Sequence, residues 1–142
     1  MKNFKTIFLL FFLVAGFVSL FSFHLPGRAQ GTSISGFLDS STIDTGVVAG
    51  AQLNAVLWQG YRAPGTSVGF QFATSGSSGG PWNFVGPDGT DSSYFLPSPN
   101  FPLSLPYTFS GIRYFRYRIT LFSDPADKYT PSVGFVVVNW SP

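Results

Sequence analysis

Between residue 36 and the C-terminus, apolar and polar residues alternate with a period of two in several short stretches. In "TSVGFQFATS", for example, Val68, Phe70 and Phe72 occupy every second position. Such alternation is typical of β-strands that bury one face and expose the other. The pattern predicts a core that includes Val68, Phe70, Phe72, Phe115, Tyr117, Ile119, Phe135 and Val137.

The last apolar stretch, "VGFVVVNW", does not alternate clearly, because Gly134, Val136, Val138 and Trp140 are apolar as well. The choice of its inward face therefore stays open, and the continuous run predicts a central strand buried on both sides. Turn signals such as "GSSGG" and "GPDGT" separate seven to nine short predicted strands. The sequence thus predicts an all-β fold over residues 36–142, an antiparallel β-sandwich of jelly-roll-like build.

The first 29 residues differ from the rest, because an uncharged apolar run over 7–23 follows two lysines. Gly27 and Ala29 meet the small-residue requirement of a signal peptidase, which predicts a signal peptide cleaved after Ala29. The alternative is an uncleaved N-terminal membrane anchor, a hydrophobic helix at the lower length limit for spanning a bilayer. Residues 30–35 are then a flexible lead-in. Both alternatives predict an extracytoplasmic domain, secreted or at the cell surface.

Charge and composition exclude several function classes for the chain from residue 30 onward. Its net charge is −1, which does not favour nucleic acid as a partner. The basic residues are Arg62, Arg113, Arg116, Arg118 and Lys128, against the acidic residues Asp39, Asp44, Asp88, Asp91, Asp124 and Asp127. The absence of cysteine excludes disulfides and zinc–thiolate sites.

Catalytic chemistry has few residues to draw on. The single histidine, His24, lies in the predicted leader, and no Cys or Glu follows residue 30. Ser/His/Asp and Cys/His arrangements therefore cannot form, and we predict a non-enzyme without a cofactor. Asp88 and Asp91 in "PDGTD" offer oxygen ligands for a structural calcium ion, although turn formation is the ordinary explanation for aspartates in this context.

Three residues on the outer face of the predicted strand "RYFRYRITLF" form a candidate binding stripe. Tyr114, Arg116 and Arg118 share this face, and successive members lie about 7 Å apart. They either bind sugar, carboxylate or phosphate groups, or form a solvated face that pairs with aspartates and stacks on aromatic rings.

The connection 94–109 is a second candidate for ligand binding, because it is rich in aromatic residues and residues 97–106 contain four prolines. A stiff loop loses little entropy on binding, and aromatic faces suit sugar rings. The predicted glycan contacts are Tyr94, Phe101 and Tyr107, together with Trp82, which is expected to lie beside Arg116. The alternative is that Phe95, Leu103 and Phe109 turn inward and plug the end of the core.

Four stretches together resemble an extracellular β-sandwich module of uncharacterised bacterial surface proteins, some of which carry pilin-like leaders. The module is similar to galactose-binding-like jelly rolls, and the resemblance implies a fold and an exterior location. It covers roughly residues 36–142. The stretches are "SSTIDTG" (40–46), "PGTSVGFQFATS" (64–75), "WNFVGPDGTDSSYF" (82–95) and "RYFRYRITLFSDPADKYTPSVGFVVVNWSP" (113–142).

These observations together predict a non-catalytic, exported surface module that binds a glycan or a cell-surface ligand weakly. The alternative is a structural subunit or protein–protein interaction module of a surface or pilus-like assembly, with an envelope protein as partner. Nucleic acid is not expected as a partner, and a membrane only through residues 7–23 if the leader is uncleaved.

Overall fold

The structure is a computed structural model that describes residues 34–142. The predicted leader, with its cleavage site or membrane helix, and residues 30–33 of the lead-in lie outside the described residues.

The described chain consists mostly of antiparallel β-strands, which confirms the all-β prediction at this level. A short 3-10 helix, Tyr107–Phe109, is the one helical segment in residues 34–142. The strands are β1 (Ser35–Asp39), β2 (Ile43–Asp44), β3 (Gln52–Tyr61), β4 (Ser67–Ser75), β5 (Leu103–Ser104), β6 (Tyr114–Phe122) and β7 (Ser132–Ser141).

The strands form two sheets, each organised around one central strand. In the four-stranded sheet, β6 pairs with β4 on one side and with β1 and β2, one after the other, on the opposite side. In the three-stranded sheet, β3 lies between β5 and β7. Every pairing is antiparallel, and the arrangement is compatible with a β-sandwich.

The core lies between the inner faces of the two sheets. Phe70, Phe72 and Phe115 of the four-stranded sheet are fully buried, as are Val56 and Trp58 of β3. Burying aromatic side chains of this size supplies a large share of the stabilisation available to a small domain. The predicted core residues Val68, Phe70, Phe72, Phe115 and Ile119 are buried, and Tyr117 packs partly buried against them.

The connection that follows β4 closes one side of this core. Phe95 and Phe109 are both 5% exposed, and their rings pack edge-on against Phe72 at 5.9 and 5.7 Å between centroids. Trp58 Nε1 donates a hydrogen bond to the Pro97 carbonyl at 2.9 Å. Phe95 and Phe109 therefore turn inward and plug the core, as the second alternative for this connection expected. Leu103 is partly buried against the same core.

The prediction that the last strand is central is wrong, because β7 pairs only with β3 and lies at the edge of its sheet. Phe135 and Val137 are 49% and 47% exposed, so their assignment to the core is also wrong. The register explains this, since Val136 lies opposite the buried Trp58 and shares its inward face. Alternation then directs Phe135 and Val137 outward.

Candidate interaction surface

We call residues 95–112, which carry Phe95 and Phe109, the 95–112 connection. In the described chain, the side of the core opposite this connection is open and forms an apolar cleft of about 530 Å³ between the edge strands β1 and β7. We call it the β1–β7 cleft. Tyr117, Ile119 and Leu121 of β6 lie at its base. Its walls are Gly36, Phe37 and Leu38 of β1 and Val133, Gly134, Phe135 and Val136 of β7.

Leu38 shows how incomplete the packing is along this cleft. It lies opposite Ile119 in the β1–β6 pair and so faces the space between the sheets. Ile119 is 7% exposed, whereas Leu38 is 63% exposed. Alternation therefore directs a large apolar side chain inward, but no described residue covers it. This lack of cover makes the cleft accessible to an apolar group from outside.

The three-stranded sheet that forms one wall of the cleft carries no charged side chain. None of the residues in β3, β5 and β7 is Asp, Glu, Lys, Arg or His. Its outward-facing side chains include the exposed Phe135 and Val137. The surface therefore favours apolar contacts and main-chain hydrogen bonds over ionic recognition.

The outer face of the four-stranded sheet carries the predicted arginine stripe, and its centre is Arg118. The guanidinium of Arg118 lies between the rings of Phe37 and Phe84, 4.4 Å from each centroid. Its Nε and Nη2 donate to the two carboxylate oxygens of Asp39 at 2.6 and 2.9 Å. The hydrogen bonds from Arg118 are the main reason that the pKa of Asp39 lies below its usual value.

Arg116 lies beside this group, and its Nε donates to the Ser40 carbonyl at 2.7 Å. Its guanidinium lies 5.8 Å from the ring centroid of Trp82. Both arginines therefore have the aromatic and hydrogen-bonding partners that the solvated-face alternative requires, and Arg118 has the aspartate as well. The third member of the stripe, Tyr114, has Arg113 over its ring at 5.1 Å.

A polar groove of about 430 Å³ opens beside these arginines, and we call it the Trp82 groove. It brings together three residues named by the sequence analysis, Trp82, Asp91 and Arg118. Asn83, Phe84 and Val85 complete its lining. An aromatic face with amide, carboxylate and guanidinium groups around it can stack on a sugar ring and hydrogen-bond its hydroxyls.

The other predicted glycan contacts do not join the Trp82 groove. Tyr94 packs edge-on against Phe122 at 5.1 Å and lines a separate shallow cleft. Phe101 is 68% exposed and lines a third cleft with Leu96 and Pro97. Tyr107, in the 3-10 helix, is 81% exposed. The predicted residues are thus distributed over several surfaces.

The two aspartates of the predicted calcium site have different local roles. Asp88 Oδ1 accepts hydrogen bonds from the backbone N–H and the hydroxyl of Thr90, both at 2.8 Å, and from the Ser93 hydroxyl. The Ser93 hydroxyl contributes most to lowering the pKa of Asp88. Asp91 instead lines the Trp82 groove.

Asp88 thus closes a turn, as its Pro-Asp-Gly context favours. Within residues 34–142, no group of three or more His, Cys, Asp or Glu side chains could hold a metal ion. Calcium binding at Asp88 and Asp91 stays a prediction, and an ion there would compete with the donors that Asp88 already has.

Sequence reasoning missed Leu38, Phe37 and Asp39, although all three belong to the surfaces described above. Alternation within "SGFLD" does place Phe37 and Asp39 on one face and Leu38 on the other. Their partners, however, lie on β6 more than seventy residues later. The register that brings the two strands together carries no local signal.

Comparison with known proteins finds no family model, no curated protein and no solved structure that matches this chain. In the described part of the chain, no helix has the length and apolar character needed to cross a membrane.

Proposed function

We propose that the domain is a non-catalytic, extracytoplasmic interaction module that docks onto another protein through the β1–β7 cleft and the adjoining edge of β7. The observation that carries the proposal is the open cleft itself, with Leu38 facing the core yet 63% exposed. The sequence offered this function as the alternative to glycan binding. It now takes precedence because the predicted glycan contacts are distributed over several surfaces.

Strand addition is the mode of recognition that this geometry favours. A partner strand laid along β7 would form main-chain hydrogen bonds with the free edge and insert alternate side chains into the cleft. The charge-free wall formed by β3, β5 and β7 imposes no ionic requirement on that strand. Affinity would come from main-chain pairing and from burial of apolar side chains beside Leu38.

The remaining parts of the proposal rest on composition and on the sequence resemblance. The absence of His, Cys and Glu from residue 30 onward supports a non-catalytic role, and the apolar run over 7–23 supports export. The jelly-roll-like class and the likeness to extracellular bacterial surface modules belong to the same proposal.

A site-specific photo-crosslinker tests docking in cells that produce the full chain. Placed at Leu38, the crosslinker should form an adduct with another polypeptide, because the partner would cover this position. Placed at Val48, which is 82% exposed and outside the cleft, it should form none. The absence of any adduct at Leu38, or equal adducts at both positions, would exclude the cleft as a docking site.

Weak glycan binding in the Trp82 groove is a second candidate, favoured by the placement of Trp82, Asp91 and Arg118 around one groove. A glycan array with the full chain tests it. Signals should fall with Trp82→Ala and persist with Tyr107→Ala, whose side chain lies outside the groove. Signals that survive Trp82→Ala in a folded variant, or no signals at all, would eliminate the groove.

A further inference from the structure

In the described part of the chain, the free edge of strand β7 lacks the charges, prolines and covering segments that usually protect such an edge from pairing with other chains. The strand spans ten residues, Ser132–Ser141, without a charge or a proline. Every second residue of a paired edge strand directs its N–H and C=O away from its partner. Natural proteins block such edges with charges, prolines, bulges or covering segments.

The edge of β4 in the other sheet is covered, by contrast. Backbone hydrogen bonds link Phe70 to Phe95 and Phe72 to Val85, so the segment after β4 runs along its edge. Strand β7 does contain register shifts against β3, but the stretch Phe135–Asn139 pairs regularly with Ala55–Gln59. A regular, uncharged stretch is thus available for pairing in the middle of the free edge.

We propose that the partner at this edge is a second copy of this chain, whose β7 pairs antiparallel with the first across a two-fold axis. The inference rests on the proposed docking function and names its partner. Two copies of the three-stranded sheet would then form one six-stranded sheet in the order β5-β3-β7-β7-β3-β5. An antiparallel pair of identical strands is self-complementary and closes as a dimer.

The chemistry of the sheet fits a second copy. Neither β7 nor its neighbours β3 and β5 carries a charge, so two copies meet without like-charge repulsion. Directly opposed residues of an antiparallel pair lie on the same face, so Phe135 and Val137 of one copy meet the outward residues of the other. Aromatic and β-branched side chains in such cross-strand positions stabilise a sheet.

Pairing also accounts for the open cleft. A strand added beside β7 extends the three-stranded sheet over β1, the edge strand of the facing sheet. The inward residues of the added β7, which include Val136 and Val138, would then lie over Leu38. In this way each copy supplies the cover that the other copy lacks along its cleft.

Cysteine crosslinking tests the pairing directly, because the natural chain contains no cysteine. Single variants of the full chain carry Phe135→Cys, Val137→Cys or Asn139→Cys, all on the outward face of β7. Opposed Cα atoms of paired strands lie within the range that a disulfide spans. If the register places a residue opposite itself, its cysteine variant crosslinks alone. If the register places two different residues opposite each other, a mixture of the two variants, such as Phe135→Cys with Val137→Cys, crosslinks.

Ser78→Cys is the matched control for random collision, because Ser78 is exposed in the loop after β4, on the other sheet. Pairing holds the thiols at a high effective concentration, so the dimer yield should exceed that of Ser78→Cys by about tenfold or more. A yield no higher than the control in every single variant and mixture, with the β-sheet spectrum intact, would overturn the second-copy proposal.

The photo-crosslinker at Leu38 separates failure of this inference from failure of the docking function. An adduct of twice the chain mass that contains only this sequence, together with the cysteine dimer, supports both. An adduct with a different polypeptide and no cysteine dimer overturns the second copy and leaves docking intact. An intramolecular adduct with residues 1–33, or no adduct, overturns both.

Discussion

At the residue scale, Arg118 shows how one side chain organises an exposed sheet face. Its guanidinium lies between the rings of Phe37 and Phe84, and its Nε and Nη2 donate hydrogen bonds to Asp39. A two-point Arg–carboxylate pair is better ordered than most surface ion pairs, and the flanking rings restrict it further. The outer face is therefore stabilised by contacts within the chain.

The first prediction concerns the pH dependence of stability. The pKa of Asp39 is lowered, mainly by the hydrogen bonds from Arg118, so its stabilising contribution is complete above its unfolded pKa of about 4. The contribution is lost as the pH falls through the lower folded pKa. Asp39→Asn should reduce the unfolding free energy by about 1 kcal/mol at pH 7, and this difference should shrink below about pH 4.

Urea unfolding of the natural chain and of Asp39→Asn between pH 2.5 and 7 would measure this difference, since the range extends to both sides of the unfolded pKa of about 4. Asp44→Asn is the matched comparison, because the Asp44–Arg113 pair is more exposed and longer, at 3.2 Å. It should lose less stability at pH 7 than Asp39→Asn. An Asp39→Asn deficit that stays constant across the whole range would contradict the assignment.

At the element scale, the 95–112 connection buries two phenylalanines in the core although its proline-rich sequence is typical of an exposed loop, and β7 lies at an edge although its apolar sequence suggests a central strand. The proline-rich connection closes the core with Phe95 and Phe109, whereas the most apolar strand lies at an edge. The connection can do this because its backbone bonds to β3, as from Asn100 N to the Trp58 carbonyl at 2.9 Å. A loop that satisfies its backbone in this way can take the place of a strand.

The second prediction tests this closure by comparing two phenylalanines of one connection. Phe109→Ala should lower the unfolding free energy by about 3–5 kcal/mol, since it removes a ring packed between Phe72 and Phe95. Phe101→Ala should cost less than about 0.5 kcal/mol, because the Phe101 ring is 68% exposed. Denaturant unfolding measures both, and equal losses would show that the connection does not plug the core as described.

The third prediction concerns the turn that positions the Trp82 groove. Gly86 N donates to the Thr90 carbonyl at 2.9 Å, and a Cβ added at Gly86 would overlap the Ser93 backbone. Gly86→Ala should therefore cost about 1–3 kcal/mol, because backbone must shift to make room. Gly76→Ala, where the added Cβ has nothing within 4 Å, is the control. Matching thermal unfolding curves for the two variants would contradict the overlap.

The sequence predicted the strands and their inward faces well where alternation was strict. Val68, Phe70 and Phe72 in β4 are all buried, as their spacing indicates. The prediction was wrong for β7, because a continuous apolar run gives the same signal whether a strand is central or faces an open side. The exposure of Phe135 depends on the order of strands in the sheet, which local pattern does not encode.

The candidate surface could be predicted only in part for the same reason. Trp82 and Arg118 were identified from residue type and face, and they do line one groove. Leu38 was not, because its exposure depends on the absence of a neighbour across the cleft. Pairing between β1 and β6 joins residues about eighty positions apart in the chain, and such long-range register is decided by the whole fold.

At the scale of the whole molecule, the two sheets, as residues 34–142 form them, are closed on one side and open on the other. Closure by the 95–112 connection lets the domain bury Trp58, Phe72 and Phe109 in one continuous core. The open side leaves apolar area on both β1 and β7 in contact with solvent. Covering that area would lower the free energy of the folded state without requiring any change in the core.

The last prediction follows from this coupling between folding and pairing. If two copies pair through β7, dissociation accompanies unfolding, and the midpoint temperature of the full chain should rise with protein concentration. A tenfold increase adds about 1.4 kcal/mol per dimer, which for two domains of this size corresponds to a rise of about 3 °C. Val137→Lys should abolish this dependence, because it places a charge on the outward face beside the free edge. Val48→Lys, at a position 82% exposed in the turn before β3, should retain it. Differential scanning calorimetry over a hundredfold range of concentration makes the measurement, and a midpoint that does not move for the natural chain would contradict pairing.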